Sequence, residues 1–278
     1  MIPWATITLE LYHLPEPYLR RPGADREVAL ESGHHHSGAA VGAPPIVHRG
    51  AASGGTFGGI QIHAAAGIHE YALRVVRRER PTPARVLDVG TGSGALAARL
   101  DAAGYDVIAA DLETSDYAAP PPVIAWDLGS IDVPLDLVGA FDVACAIEVL
   151  EHVENPLHAL RNLFLVLRPG GLLVASTPNV GHPRSRIKFL LRGAPAFFGP
   201  GEYLATGHRT LLPDWLLRRH LEAAGFEDVR LSYAGSYGLS GPSRIGYRAL
   251  VPVFRLLGMM PSPRDRDGAA TFALARRP

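Results

Sequence analysis

The run Val86-Leu87-Asp88-Val89-Gly90-Thr91-Gly92-Ser93-Gly94 constrains this chain more than any other stretch. A short apolar, β-forming segment runs into three glycines spaced two apart, and a helical pattern follows. Such a turn brings backbone N–H groups against a ligand at a helix N-terminus, where side chains would block the approach. It belongs in an open α/β sheet, at the carboxyl end of a strand.

The pattern around the turn supports that placement. Residues 60–80 approximate a helix face through Ile62, Ala65, Ala66, Tyr71, Leu73 and Val76, with Arg74, Arg77 and Arg78 outside, and Pro81 and Pro83 close it. From there the chain alternates. It predicts strand 85–89, helix 93–103, strands 106–110, 123–126 and 141–147, helix 156–167 and strand 171–176. An irregular stretch of about 35 residues precedes a helix over 212–224, and strands over 227–233 and 271–275 end the chain. Strands separated by helices imply βαβ units and a parallel sheet. The composition fits, since 47% hydrophobic residues in 278 supply a sizeable core. Cys145 stands alone in a buried-strand context, which excludes an internal disulfide and a cysteine-based metal site.

Three details distinguish the glycine turn from a dinucleotide site and favour S-adenosylmethionine (SAM). The spacing is Gly-x-Gly-x-Gly rather than Gly-x-Gly-x-x-Gly. Asp88 precedes the turn by two residues, where a carboxylate meets the ligand's ammonium directly or through water. Asp111 ends the next strand, where a carboxylate accepts from both ribose hydroxyls. Asp127 ends the third strand, suited either to the adenine amino group with Leu128 covering the ring, or to a loop or helix cap.

With these residues in view, the sequence resembles the class I SAM-dependent methyltransferases, in the branch of the ubiquinone-biosynthesis O-methyltransferases and bacterial sugar, glycan and natural-product methyltransferases. The resemblance spans about 67–233 and the final strand. It rests on the glycine run, Asp111, Phe141-Asp142-Val143, Glu148-Val149-Leu150-Glu151-His152-Val153, Leu167-Arg168-Pro169-Gly170-Gly171 and Ala224-Gly225-Phe226. It implies a Rossmann-like, mostly parallel seven-stranded α/β sheet whose last strand is antiparallel. It also implies cofactor contacts for Asp88, Gly90, Thr91, Gly92, Gly94, Asp111, Leu112, Asp127 and Leu128, with Ile147 and Glu148 facing the cofactor from the fourth strand.

Glu148, Glu151 and His152 follow that fourth strand, and in a helix their spacing would place them on one face. Three readings stand. His152 or a neighbouring carboxylate is a general base; the three bind Mg²⁺ or another divalent metal; or they shape the loop and cap a helix. The Glu–Glu–His pattern resembles the metal site of ubiquinone-pathway enzymes and of small-RNA 2′-O-methyltransferases. The latter add a further histidine, for which His208 stands in a comparable place.

The remaining segments bear on the acceptor. Residues 1–58 read as a Pro- and Gly-rich extension, with His34-His35-His36 in a solvated loop, ahead of a methyltransferase domain over 59–278. An insertion over 178–210 reads as an acceptor-site cap. It carries Arg184, Arg186, Lys188, Arg192, Phe197, Phe198 and Tyr203, suited to phosphate groups or to an amphipathic surface helix. A second insertion, 234–268, combines Ile245, Leu250, Val251, Val253, Phe254, Leu256 and Leu257 with Arg244, Arg248 and Arg255. It suits a membrane surface, a lipid-linked substrate, packing on the domain or a dimer contact. Balanced charge, 27 basic and 27 acidic residues, argues against nucleic acid as partner. With no apolar run of about 18 residues and no charged-then-apolar leader, a cytoplasmic location is expected. The expectation is therefore a small-molecule or glycan O-methyltransferase, ahead of an RNA 2′-O-methyltransferase with metal at Glu148, Glu151, His152 and His208, and of a non-catalytic SAM-binding module.

Overall fold

The computed structural model describes residues 55–236 and 268–278, together with Pro252 and Leu256. Nearly all of the N-terminal extension, including His34–His36, and most of the second insertion lie outside the described residues.

Seven strands form one sheet: β3 (Arg85–Val89), β4 (Asp106–Asp111), β5 (Val123–Ala125), β6 (Phe141–Ile147), β7 (Leu167–Pro178), β8 (Glu227–Ala234) and β9 (Ala270–Arg276). Their order is β5-β4-β3-β6-β7-β9-β8. Neighbours from β5 to β7 pair in parallel, and β9 runs antiparallel between β7 and β8. Every residue of β6 is buried, which is why it reads as a continuous apolar run.

Alternation along the strands builds two cores. Leu87, Val89, Ala144, Ala146, Leu173 and Ala275 face α3 (Pro156–Val166) and α6 (Asp214–Ala223). Val86, Val143, Cys145, Val174, Phe272 and Leu274 face α1 (Ile68–Glu79) and α2 (Ala95–Asp101). Cys145 is thus a core residue, as expected, and burial pushes its thiol well up.

The structure corrects several boundaries. The helix expected over 60–80 starts only at Ile68, because Gly67 sits in the left-handed region at its N-cap. Ahead of it, β1 (Thr56–Phe57) and β2 (Ile60–Gln61) form a hairpin. Ile62 and Ala64 are buried from an extended segment, so the apolar spacing was not helical there. Similarly α2 begins at Ala95, after Gly94 at φ 90°. The stretch expected to be irregular contains α4 (Pro183–Arg192) and α5 (Pro200–Thr206). His182 caps α4 by accepting from the Arg184 N–H at 3.1 Å, and Gly193 ends it at φ 71°. Among the described residues no helix is long and apolar enough to cross a membrane.

Candidate functional site

The glycine turn sits where the sheet order reverses, at the carboxyl end of β3 between β4 and β6. Its backbone is fixed by the neighbouring strand: the Gly90 and Thr91 N–H groups both donate to the Ala110 carbonyl. All three glycines have positive φ, yet they need to be glycine for different reasons. A Cβ on Gly90 would lie 2.3 Å from Val149 Cγ2, and one on Gly94 would lie 2.6 Å from Tyr117 and Ala119. Those two make room for protein. A Cβ on Gly92 would meet only His63 Cδ2 at 3.7 Å. Gly92 therefore leaves an open stretch of backbone, the cradle a ligand requires.

Two aspartates brace this cradle. Asp111 accepts from the Gly92 N–H at 2.7 Å on one oxygen and from the Glu113 N–H at 3.2 Å on the other. Each oxygen keeps a second lone pair for a further donor. Asp88 is buried and accepts from the Thr91 hydroxyl at 2.8 Å. Burial raises its pKa to about 7; the Thr91 bond opposes the rise and the Asp111 charge adds to it. Beyond Asp111, Leu112 is 69% exposed, an apolar side chain presented beside the cradle. Ile147 is buried at the end of β6.

The third acidic position differs from the first two. Asp127 is exposed and its carboxylate accepts from the Gly129 N–H at 2.8 Å, a turn-forming contact. Leu128 is packed in the core beside α3, so it does not present a face to an adenine ring.

Residues 148–155 form turns, not the helix that would align Glu148, Glu151 and His152. Glu148 interrupts regular structure with φ 57°. Its carboxylate accepts from the Ser176 hydroxyl at 2.9 Å, a contact set by the β6–β7 pairing of Ile147 with Ser176. In its place the fold delivers His208. The Arg209 and Thr210 N–H groups donate to the Glu151 carbonyl, and the Thr210 hydroxyl donates to the Val153 carbonyl. Ligand atoms of Glu151, His152 and His208 consequently lie within 4.8 Å of one another. The two imidazoles meet edge to face, 4.8 Å between centroids.

Electrostatically this cluster is primed. Glu151 is fully buried, and among the described residues no hydrogen bond of good geometry reaches either carboxylate oxygen. Burial, and then the Glu148 charge, push its pKa well up; nearby Thr177 only partly opposes this. Burial also raises Glu148, against the Ser176 hydrogen bond. His208 Nδ1 is 2.8 Å from the Phe197 carbonyl, which fixes the orientation of the ring.

A family model described as a methyltransferase domain matches residues 62–231. The chain belongs to the class I SAM-dependent methyltransferases. Among relatives of this methyltransferase, a ubiquinone biosynthesis O-methyltransferase of Xanthomonas axonopodis pv. citri is 35% identical, over 39% of this chain and 52% of that protein. The enzyme of the same name from Rickettsia conorii is 38% identical over 34% and 35%. The chain thus spans at most about half the length of these curated relatives. A Haemonchus contortus phosphoethanolamine N-methyltransferase 2, solved with S-adenosyl-L-methionine, aligns with 78% of this chain and 54% of its own at 16% identity and TM-score 0.52. A Thermotoga maritima SAM-dependent methyltransferase aligns with 76% and 89% at 15% identity and TM-score 0.52. At such identities the two structures establish the shared fold of the methyltransferase.

Some of the site escaped the sequence. The β1–β2 hairpin reaches the glycine turn, with Ser93 donating to the Gln61 carbonyl at 2.5 Å and His63 facing Gly92. A two-residue strand pair carries too little periodicity to be read. Ser176, which holds Glu148, gave no signal of its own within a buried strand.

Proposed function

We propose that this methyltransferase moves the methyl group of SAM to an oxygen of a small-molecule, sugar or glycan acceptor. The observation that carries the reading is the convergence of Glu151, His152 and His208 on the loop that leaves β6, with Glu151 two residues beyond the Val149 that packs on Gly90. Asp88 holds the cofactor's ammonium, Asp111 its ribose hydroxyls, and Leu112 covers the adenine edge. Asp127 contributes at the rim. Bound SAM supplies an activated sulfonium methyl, so the protein's task is mainly alignment for in-line displacement. An oxygen acceptor also loses a proton. In this reading His152 or His208 takes up that proton, and the imidazolium formed favours the ionised form of Glu151, which burial alone disfavours. The ubiquinone-pathway relatives support oxygen as the target atom.

One observation favours a metal in the same cluster. A buried carboxylate without a good hydrogen-bond partner, beside two imidazoles, is a donor set that a divalent cation would satisfy. Glu151, His152 and His208 would hold it, with Glu148 engaged by Ser176. Two imidazoles favour a transition metal over Mg²⁺. Such a cation would acidify a hydroxyl placed next to it.

The test is transfer from radiolabelled SAM to a panel of phenolic, catecholic and sugar hydroxyls, with and without prior EDTA treatment. Labelled methyl ethers are expected, and His208→Ala abolishes them while SAM binding persists. Label appearing only on nitrogen or carbon acceptors would overturn the oxygen reading. Undiminished turnover after EDTA would remove the metal.

A further inference from the structure

The segment between β2 and α1 crosses the glycine turn in a fixed register. Ile62 and Ala64 are buried and His63 between them is exposed, the alternation of an extended segment with one face on the protein. Hydrogen bonds hold it in place. The Ile62 N–H donates to the Gly55 carbonyl at 2.9 Å, and the Ser93 hydroxyl donates to the Gln61 carbonyl at 2.5 Å. Anchored on both sides, the His63 ring faces Gly92, with its Cδ2 3.7 Å from where a Cβ of that open glycine would stand.

The donors of the turn itself point elsewhere. The Thr91 hydroxyl is given to Asp88 at 2.8 Å, the Ser93 hydroxyl to Gln61, and the Gly92 N–H to Asp111 at 2.7 Å. The side chains nearest Gly90 and Gly94 are Val149, Tyr117 and Ala119, and the Tyr117 hydroxyl donates to the Pro121 carbonyl at 2.8 Å. Two other basic residues stand near this segment. Arg99 pairs with Glu70 at 2.8 Å and lies over the Phe57 ring. His69 is neutral at pH 7, since burial, and then the Arg99 charge, lower its pKa to about 4. His63 is thus the basic side chain that the fold presents to the cradle.

SAM carries an ammonium and a carboxylate on one carbon. Asp88 suits the first and disfavours the second, so the carboxylate turns from Asp88 toward the exposed side of the turn. An imidazole offers an N–H donor in either protonation state. We infer that His63 binds the carboxylate of the cofactor's methionine moiety, clamping it against Gly92. This rests on the reading of the turn as a SAM site, to which it adds a residue outside the turn and outside the acidic strand ends. Holding the tail also helps to fix the sulfonium for in-line transfer.

The test compares two ligands by calorimetry. One is S-adenosylhomocysteine; the other is its decarboxylated analogue, which keeps the adenosine and the amine and lacks the carboxylate. The full native chain and His63→Ala are titrated with both. His63 is exposed, so the variant is expected to fold. The native chain is expected to prefer S-adenosylhomocysteine by about tenfold or more, as for a charge-assisted hydrogen bond. His63→Ala is expected to lose that preference by weakening S-adenosylhomocysteine alone. Each chain is its own control, because a loosened hairpin would weaken both ligands equally. That equal weakening overturns the inference, as does a preference that survives in His63→Ala. Failure of the native chain to bind either ligand refutes the SAM site itself, whereas binding of both without a preference that depends on His63 refutes the clamp alone.

Discussion

The Asp111 carboxylate takes the Gly92 N–H at 2.7 Å, so the acidic residue ending β4 braces the one open glycine of the turn that follows β3. The Asp111 carboxylate and the cradle are one hydrogen-bonded unit. Damage to either should reach the other.

The glycines should separate by substitution. Gly92→Ala has space within the protein but places alanine at φ 54°. It should fold at a cost of about 1 kcal/mol and lose SAM binding, because the added methyl occupies the cradle. Gly90→Ala drives a Cβ to 2.3 Å from Val149 and should lower stability by about 1–3 kcal/mol or more. Urea denaturation and calorimetry on both variants check the split.

Asp88 predicts a pH signature. Its carboxyl titrates near its ordinary 3.8 when unfolded and near 7 when folded. The native state therefore holds the extra proton between those values. This group makes stability fall as pH rises from about 4 to about 7, by at most ~1.4 kcal/mol per pH unit, with no further change above. A cofactor ammonium favours the ionised form, so SAM affinity should rise over the upper part of the same window. Asp88→Asn should flatten both trends, followed by thermal melts and titrations from pH 5 to 8.

Glu151→Gln should trade function for stability. Replacing a buried carboxylate that lacks good partners by a neutral amide relieves desolvation, so the melting temperature at pH 8 should not fall. Turnover should drop about 10²–10⁴-fold, the usual range for loss of acid–base support. Single-turnover kinetics with preformed SAM complex measure it.

Asp142 gives the converse. It is buried at the amino end of β6, paired with Arg168 and accepting from the Arg85 N–H at 2.9 Å. Asp142→Ala should cost about 2–3 kcal/mol in denaturant melts and leave the SAM dissociation constant unchanged.

What the sequence revealed, and what it hid, follows from packing. The strands were readable because β3, β6 and most of β7 are buried on both faces and read as short continuous apolar runs. The places of Asp88, Asp111 and the glycines at strand ends were readable because the backbone pattern fixes them. Leu128 looked like a ligand-facing residue because sequence adjacency to Asp127 does not say which way the chain turns. The cluster at His208 depends on the Glu151 carbonyl pairing with residues 209–210, a contact between segments more than 50 residues apart. Helix α4 carried its boundary signals, Pro183 and Gly193, yet lacked a core-facing stripe, since only Ser185 in it is buried. Periodicity fails where a helix packs on little.

The most direct measurement is an isothermal titration of S-adenosylhomocysteine into the full chain and into Asp111→Ala. The account predicts saturable heat at one site in the native chain and a dissociation constant weakened at least about tenfold in the variant, as expected for loss of a charge-assisted contact. No heat in the native chain, or equal affinity in the two, would contradict it.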